Sequence, residues 1–339
     1  MDLEAPTNGQ QDLKTESSYA ASITGNLPPE FGEKLAKLEA EMGSPIWLII
    51  QKGTHDLPTG SLNDTLLDAF LARRSELRMG SGAILVIDSP GGEAESAYQL
   101  SRLFQRHCGG FVAVIPRYAK SAATLVVLGA NAIIMGTDAE LGPLDVQITD
   151  VQAERYGSAL DEVQALERIN AAALNQIDQT MLMLLPRTQK KIEFLLPHVM
   201  SYVASMMAPM VEKIDTLHYA SYARILKVGE DYATRLLRSR FSEEEATNIA
   251  RQLVNAYSEH AFVIDREELL SGAFPELIET DVPAHVQLLI DDIDVFLQAR
   301  ARPLLALGRF ETVEVGGGTG VQAPEEPAKV KDEPSGDKD

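Results

Sequence analysis

The sequence predicts an α/β fold, a parallel sheet clad by helices and followed by an α-helical module, and three observations carry that reading. Between Leu27 and Ile148, short apolar runs alternate with longer segments of helical period, the pattern of βα units. The first three of those runs are apolar at consecutive positions, as strands covered on both faces must be. Beyond Asp150 the period is helical to the end of the ordered sequence.

Taken in order, the expected strands are Ile46–Gln51, Ala83–Asp88, Phe111–Ile115 and Ala132–Met135. The helices between them are Glu30–Met42, Asp64–Ser75, Glu93–Arg106 and Ser121–Leu128. In the second half, helical period runs through Ala153–Leu185, Arg187–Met210, Tyr219–Leu237 and Ser242–Tyr257, with Pro186 and Gly229 as interruptions. Ser242 and Glu245 have the spacing of a capping box, in which serine and glutamate satisfy each other's free amides. Met181, Met183, Met200, Met206, Met207 and Met210 form an apolar face, read as core or oligomer interface. The division expected is a disordered lead over 1–27, the α/β domain over 28–150, the helical module over 151–312, and a disordered acidic tail over 313–339, where Gly, Pro, Glu and Lys dominate.

At 339 residues and 45% hydrophobic content the chain can build a sizeable core. Its formal charge of −20 repels phosphate, which argues against a nucleic-acid partner and against attraction to an anionic membrane. Cys108 is the single cysteine, so no intrachain disulfide or cysteine-based zinc site can form, which suits a reducing cytoplasm. Pro45–Ile50 and Ala122–Met135, taken as the most apolar runs, fall short of the roughly 20 residues that cross a bilayer, so no integral membrane segment is expected.

Two segments carry chemistry. Val86–Glu93 ends a strand in Ser89-Pro90-Gly91-Gly92 and opens a helix. Paired glycines there let the backbone approach a ligand, and Gly91 and Gly92 can aim amides at an oxygen beside a helix N-terminus. Such a turn is also an ordinary strand-to-helix connection. The second segment, Tyr118-Ala119-Lys120-Ser121-Ala122-Ala123-Thr124-Leu125, again follows a buried strand and opens a helix. Ser121 at that position reads either as an N-cap or as a nucleophile. The small residues around it leave room for an acyl group, and the Ala122 amide could join that of Gly92 in holding an oxyanion.

Together with the loop Glu140-Leu141-Gly142-Pro143-Leu144-Asp145, these segments resemble the Clp protease and signal peptide peptidase superfamily, most closely the serine dehydrogenase proteinase branch. The resemblance covers about Trp47 to Ile148, with a further patch near His260. It implies a Clp protease/crotonase-like spiral ββα domain and a cytoplasmic serine peptidase that acts through an acyl-enzyme, needs no cofactor or metal, takes a peptide or protein substrate and assembles as a homo-oligomer. Clp proteases carry their histidine in the loop beyond the serine, where this chain has Asp145-Val146-Gln147. The branch's order of serine, aspartate and histidine implies Ser121, Asp145 and a later histidine. His260 fits the family's histidine segment, with His198 and His218 as rivals. Lysine bases are the other enzymatic version: Lys120 adjoins Ser121 but points elsewhere from a helix start, and Lys190 and Lys191 lie in the helical module. The family's glycines after the serine are replaced by Ala122 and Ala123, which narrows the site. That leaves two alternatives to the peptidase: a degenerate scaffold that binds a protein partner, and an acyl-CoA-processing enzyme.

Overall fold

The computed structural model describes residues 18–77, 82–144, 147–150, 155–257, 259, 261–271 and 276–313. Two short strands, β1 (Ser18–Ala21) and β2 (Gly25–Asn26), open the described chain, so the expected lead is structured from Ser18 onward. Helix α1 (Pro29–Met42) follows, begun by a proline at its first position and stopped by left-handed Gly43, whose amide bonds the Glu39 carbonyl. Then come β3 (Ile46–Lys52), α2 (Asp64–Ala72), β4 (Ile84–Asp88), α3 (Ala94–Cys108) and β5 (Val112–Ile115). The two-residue β6 (Tyr118–Ala119), α4 (Ala122–Leu128) and β7 (Ala132–Met135) complete the βα series. All four expected strands are present, in a parallel run β3-β4-β5-β7.

The consecutive apolar pattern has the cause assumed for it. Ile46, Leu48, Ile50, Ile84 and Val86 face a layer built by α1 and a late helix, while Trp47, Ile49, Leu85 and Ile87 face α2, α3 and α4. In the second layer Trp47 meets Phe70 and, edge-on, Phe104, at centroid distances of 5.9 and 5.7 Å. Burying each of these aromatics contributes roughly 2–3 kcal/mol.

The sheet is not purely parallel, and its last strand comes from the far end of the chain. Beyond β8 (Glu140–Leu141) lies a hairpin, β9 (Gln147–Asp150) and β10 (Arg155–Ser158). After it run α5 (Ala159–Thr188), α6 (Ile192–Val211), α7 (Thr216–Leu237) and α8 (Glu243–Asn255). The final elements are β11 (Ile264–Asp265), α9 (Arg266–Ser271), α10 (Ala284–Ala299) and β12 (Leu304–Val313). Strand β12 lies antiparallel between β1 and β3, giving the order β2-β1-β12-β3-β4-β5-β7. The second half is therefore not purely helical, and residue 150 does not separate two cores. Helix α10 covers one sheet face, while α7 and α8 pack into the core on the other.

Within this half the Ser242–Glu245 capping box forms as expected. Pro186 and Gly229 do not interrupt anything: each lies inside a helix, Pro186 near the end of α5 and Gly229 in α7. The methionine face divides. Met181 is buried between α5 and α6, whereas Met183, Met200, Met206 and Met210 are exposed. By length and composition α6 is also apolar enough to cross a membrane.

Where β4 ends, Asp88 is buried on the α10 face, close to Asp294, Lys52 and Arg117, with the Tyr118 hydroxyl hydrogen-bonded to it. Burial pushes its carboxyl up to about 7, against the opposing pull of Lys52. Its Oδ1 has no hydrogen-bond partner among the described residues. An unfolded aspartate titrates near 4, so the fold favours the protonated form. That contribution is complete below about pH 4 and is lost as the pH rises through 7. Between pH 4 and pH 8 the native protein should lose about 4 kcal/mol of stability relative to Asp88→Asn. Urea unfolding of both proteins at the two pH values checks this, and parallel pH slopes would contradict it.

Candidate active site

The two chemistry-bearing segments meet because their backbones are bonded to each other. The Ser89 amide donates to the Tyr118 carbonyl at 3.1 Å, and the Lys120 amide donates to the Ser89 carbonyl at 3.0 Å. This brings the glycine turn against the start of α4 so closely that a Cβ on Gly91 would stand 2.4 Å from the Lys120 carbonyl oxygen and 3.0 Å from Ser121 Cβ. Only glycine fits there. Gly92, at φ 151°, is equally confined, since its Cβ would lie 2.1 Å from the Leu62 carbonyl oxygen.

Ser121 immediately precedes α4, yet its side chain makes no capping hydrogen bond. Its backbone adopts φ 51° and ψ −119°, one of two non-glycine residues with positive φ among those described. The N-cap reading therefore fails, because a capping serine takes extended backbone and accepts from the first turn. The conformation costs about 1–3 kcal/mol, and strain of that kind on a serine between strand and helix is how a hydroxyl is thrust out at a reacting centre. Relieving it should be measurable. Ser121→Gly is expected to be about 1 kcal/mol more stable than Ser121→Ala, after glycine's own entropic cost, when the two are compared by chemical denaturation.

Beside the hydroxyl is a cavity of about 480 Å³. Gly92, Ser121 and Ala122 form one wall; Leu125, Leu144, Ile225, Val228 and Gly229 give it an apolar interior, and Glu93 and Glu95 stand at its edge. The Gly92 and Ala122 amides take no acceptor among the described residues. The Gly91 amide differs from expectation: it donates to Ser89 Oγ at 3.1 Å, and Ser89 in turn donates to Gln51 Oε1 at 2.5 Å. Gly91 thus shapes the turn and is not a free donor. Cys108 offers no rival nucleophile, for it is buried and its thiol is pushed up to about 11.

The candidate bases divide clearly. Lys120 is held by Glu140 at 3.0 Å and by the Leu141 carbonyl at 3.2 Å, as a packing side chain would be. His198 and His218 are exposed on α6 and α7 and do not line the cavity, and Lys190 and Lys191 sit at the turn between α5 and α6. Asp145 and His260 lie outside the described residues.

What the motifs alone did not reveal is the support behind the serine. Thr124 Oγ1 shares its one proton between the carbonyls of Ala119 and Gly142, at 2.7 and 2.8 Å, and accepts from the Gly142 amide at 3.2 Å. One buried hydroxyl thereby ties the serine's own helix to the loop that carries Leu144. Its only sequence signal was its position in the serine segment. The walls contributed by α7 had none.

A helix-clad α/β sheet thus presents a strained serine beside a largely apolar cavity and two amides that take no acceptor among the described residues, an arrangement suited to a serine nucleophile. More particularly, residues 80–209 match the ClpP-like SDH-type serine proteinases, so the Clp-like resemblance read from the sequence holds over that segment. Two uncharacterized proteins of Methanocaldococcus jannaschii are similar to the chain. One is 24% identical over 207 residues, which is 61% of this chain and 57% of the relative. The other is 33% identical over 103 residues, 28% of this chain and 35% of the relative. The chain thus matches little more than half, or a third, of the length of these relatives. Among solved structures, a membrane-bound stomatin-specific protease, determined as a serine-to-alanine mutant, aligns with a TM-score of 0.38 and 13% identity over 70% of this chain and 81% of that one.

Proposed function

We propose that the protein is a serine peptidase that cleaves peptide bonds through an acyl-enzyme on Ser121. The observation that carries this reading is the strained, uncapped serine at the mouth of an apolar cavity, beside the unpaired amides of Gly92 and Ala122. A carbonyl seated there meets the hydroxyl as nucleophile and the two amides as oxyanion donors, each worth about 3 kcal/mol of transition-state stabilisation. A hydroxyl needs a base, and we assign that role to His260, oriented by Asp145.

Strand pairing supports the assignment. Strands β6, β8 and β11 form a small sheet, with β8 parallel to β6 and antiparallel to β11. The chain leaves β6 toward Ser121 and leaves β8 toward residue 145, at one and the same end of that sheet. At that end too the chain enters β11 from the direction of residue 260, because β11 runs the opposite way. Chain segments leading to all three assigned residues therefore converge although they are far apart in sequence. Homo-oligomeric assembly and a cytoplasmic setting remain part of this reading, resting on family resemblance and composition.

The reading is tested by incubating the full chain with an unfolded protein such as reduced casein and following release of peptides, with and without a fluorophosphonate. Cleavage that the reagent abolishes is the expected result. Absence of cleavage alongside hydrolysis of an acyl-CoA thioester would overturn it.

A further inference from the structure

Helix α5 joins the main core at its start, through Ala159, and packs on α7, whereas its partner α6 is more exposed. Helix α6 packs on α5, through Leu195, Val199 and Val203 against Met181, and on no other element to a comparable extent among the described residues. From Phe194 to Val211 the sequence has no Asp, Glu, Lys or Arg. Phe194, Met200, Tyr202 and Met210 are each more than half exposed. At about 100° per residue, Phe194, Met200 and Tyr202 lie well apart from one another around the arc that Leu195, Val199 and Val203 do not turn toward α5. Only 11% of this apolar stretch is buried, and its one polar stripe is the narrow row His198, Ser201 and Ser205, the pattern of a helix that lies in an interface.

Charge identifies the surroundings. The chain as a whole carries −20, yet around the turn between the two helices Arg187, Lys190 and Lys191 outweigh Glu193, next to exposed Leu182, Met183 and Ile192. Apolar side chains beside a basic cluster suit a surface of acyl chains under anionic headgroups, which the acidic remainder of the molecule would only repel. Connectivity sets the depth. The 20 residues of α6 reach about 30 Å, enough to cross a bilayer, but both of its ends lead back to one core, through Ala159 at the start of α5 and through Leu226, Ala233 and Leu236 of α7. A crossing by α6 would require α5 to cross back beside it, and α5 carries Asp161, Glu162, Glu167, Arg168 and Asp178. We propose that the α5–α6 hairpin docks on an anionic lipid leaflet, with α6 embedded in the interface and Arg187, Lys190 and Lys191 at the headgroups.

Flotation of the full chain with phosphatidylcholine–phosphatidylglycerol vesicles, and with phosphatidylcholine alone, tests this independently of any peptidase activity. The protein should float with the mixed vesicles and largely fail to do so with the neutral ones. Lys190→Gln/Lys191→Gln should lower the partition coefficient roughly 30-fold, and Phe194→Glu/Tyr202→Glu should abolish binding, each with unchanged helix content by circular dichroism. The proposal is overturned if neither vesicle carries the protein, or if both double variants float as the native chain does. Should the native protein sediment as an oligomer that Phe194→Glu/Tyr202→Glu dissociates, with no flotation, the covering partner is a second copy of the chain instead.

Discussion

Ser121→Ala is expected to remove peptide hydrolysis almost completely, by a factor on the order of a millionfold in kcat, while leaving the folded protein as stable as the native one. Both halves follow from the geometry. The hydroxyl is the only part of the side chain the reaction uses, and a nucleophile cannot be replaced by its neighbours. That same hydroxyl makes no capping bond in the fold, and alanine keeps the Cβ and the strained backbone at φ 51°. Stability should therefore stay within about 0.5 kcal/mol, read by urea denaturation beside the kinetic assay. A variant that loses activity by unfolding would speak for a structural serine.

The second large effect is expected at Gly92→Ala, where activity and stability should fall together. A Cβ at this residue would lie 2.1 Å from the Leu62 carbonyl oxygen and 2.7 Å from the Leu62 amide nitrogen. Both are backbone atoms, and both are engaged: Leu62 donates to the Gly91 carbonyl at 2.8 Å and accepts from the Glu93 amide at 2.7 Å. No flexible side chain can yield, so the turn must move and take its free amide away from Ser121. Loss of one such donor lowers kcat by about 100- to 1000-fold, and strain of this kind costs about 1–3 kcal/mol. Steady-state kinetics and thermal melting on the same preparation check both. Native kcat in a folded Gly92→Ala protein would remove Gly92 from the oxyanion role.

The parts of the fold legible in the sequence are those whose signal is local. Strands β3, β4, β5 and β7 are consecutive apolar runs because helices cover both sides of the sheet, and nothing distant was needed to read them. Strand β12 escaped because Gly308, Arg309, Glu311 and Thr312 dilute its apolar pattern. Its partner β3 also lies some 250 residues away, as in the pairing of Leu304 with Lys52. Helix α6 escaped as an apolar segment because Pro197, His198 and Pro209 break the run, although all three fit within the helix.

The site divides in the same way. Ser121 and Gly92 could be found because each sits in a strand-to-helix connection whose residue types are dictated locally. The role of Gly91 could not, since it depends on where Ser89 Oγ points. The cavity walls Ile225, Val228 and Gly229 were beyond reach for a different reason. They are ordinary residues of a helix in the chain's second half, and only tertiary packing sets them opposite the serine.

The identity of the nucleophile is tested most directly by locating the adduct that a fluorophosphonate leaves on the full chain, by peptide mass spectrometry after digestion. A single phosphonylated residue, Ser121, with no adduct in Ser121→Ala, is the predicted result. Label on another residue, or none on a folded native protein, would contradict the assignment of Ser121 as the attacking group.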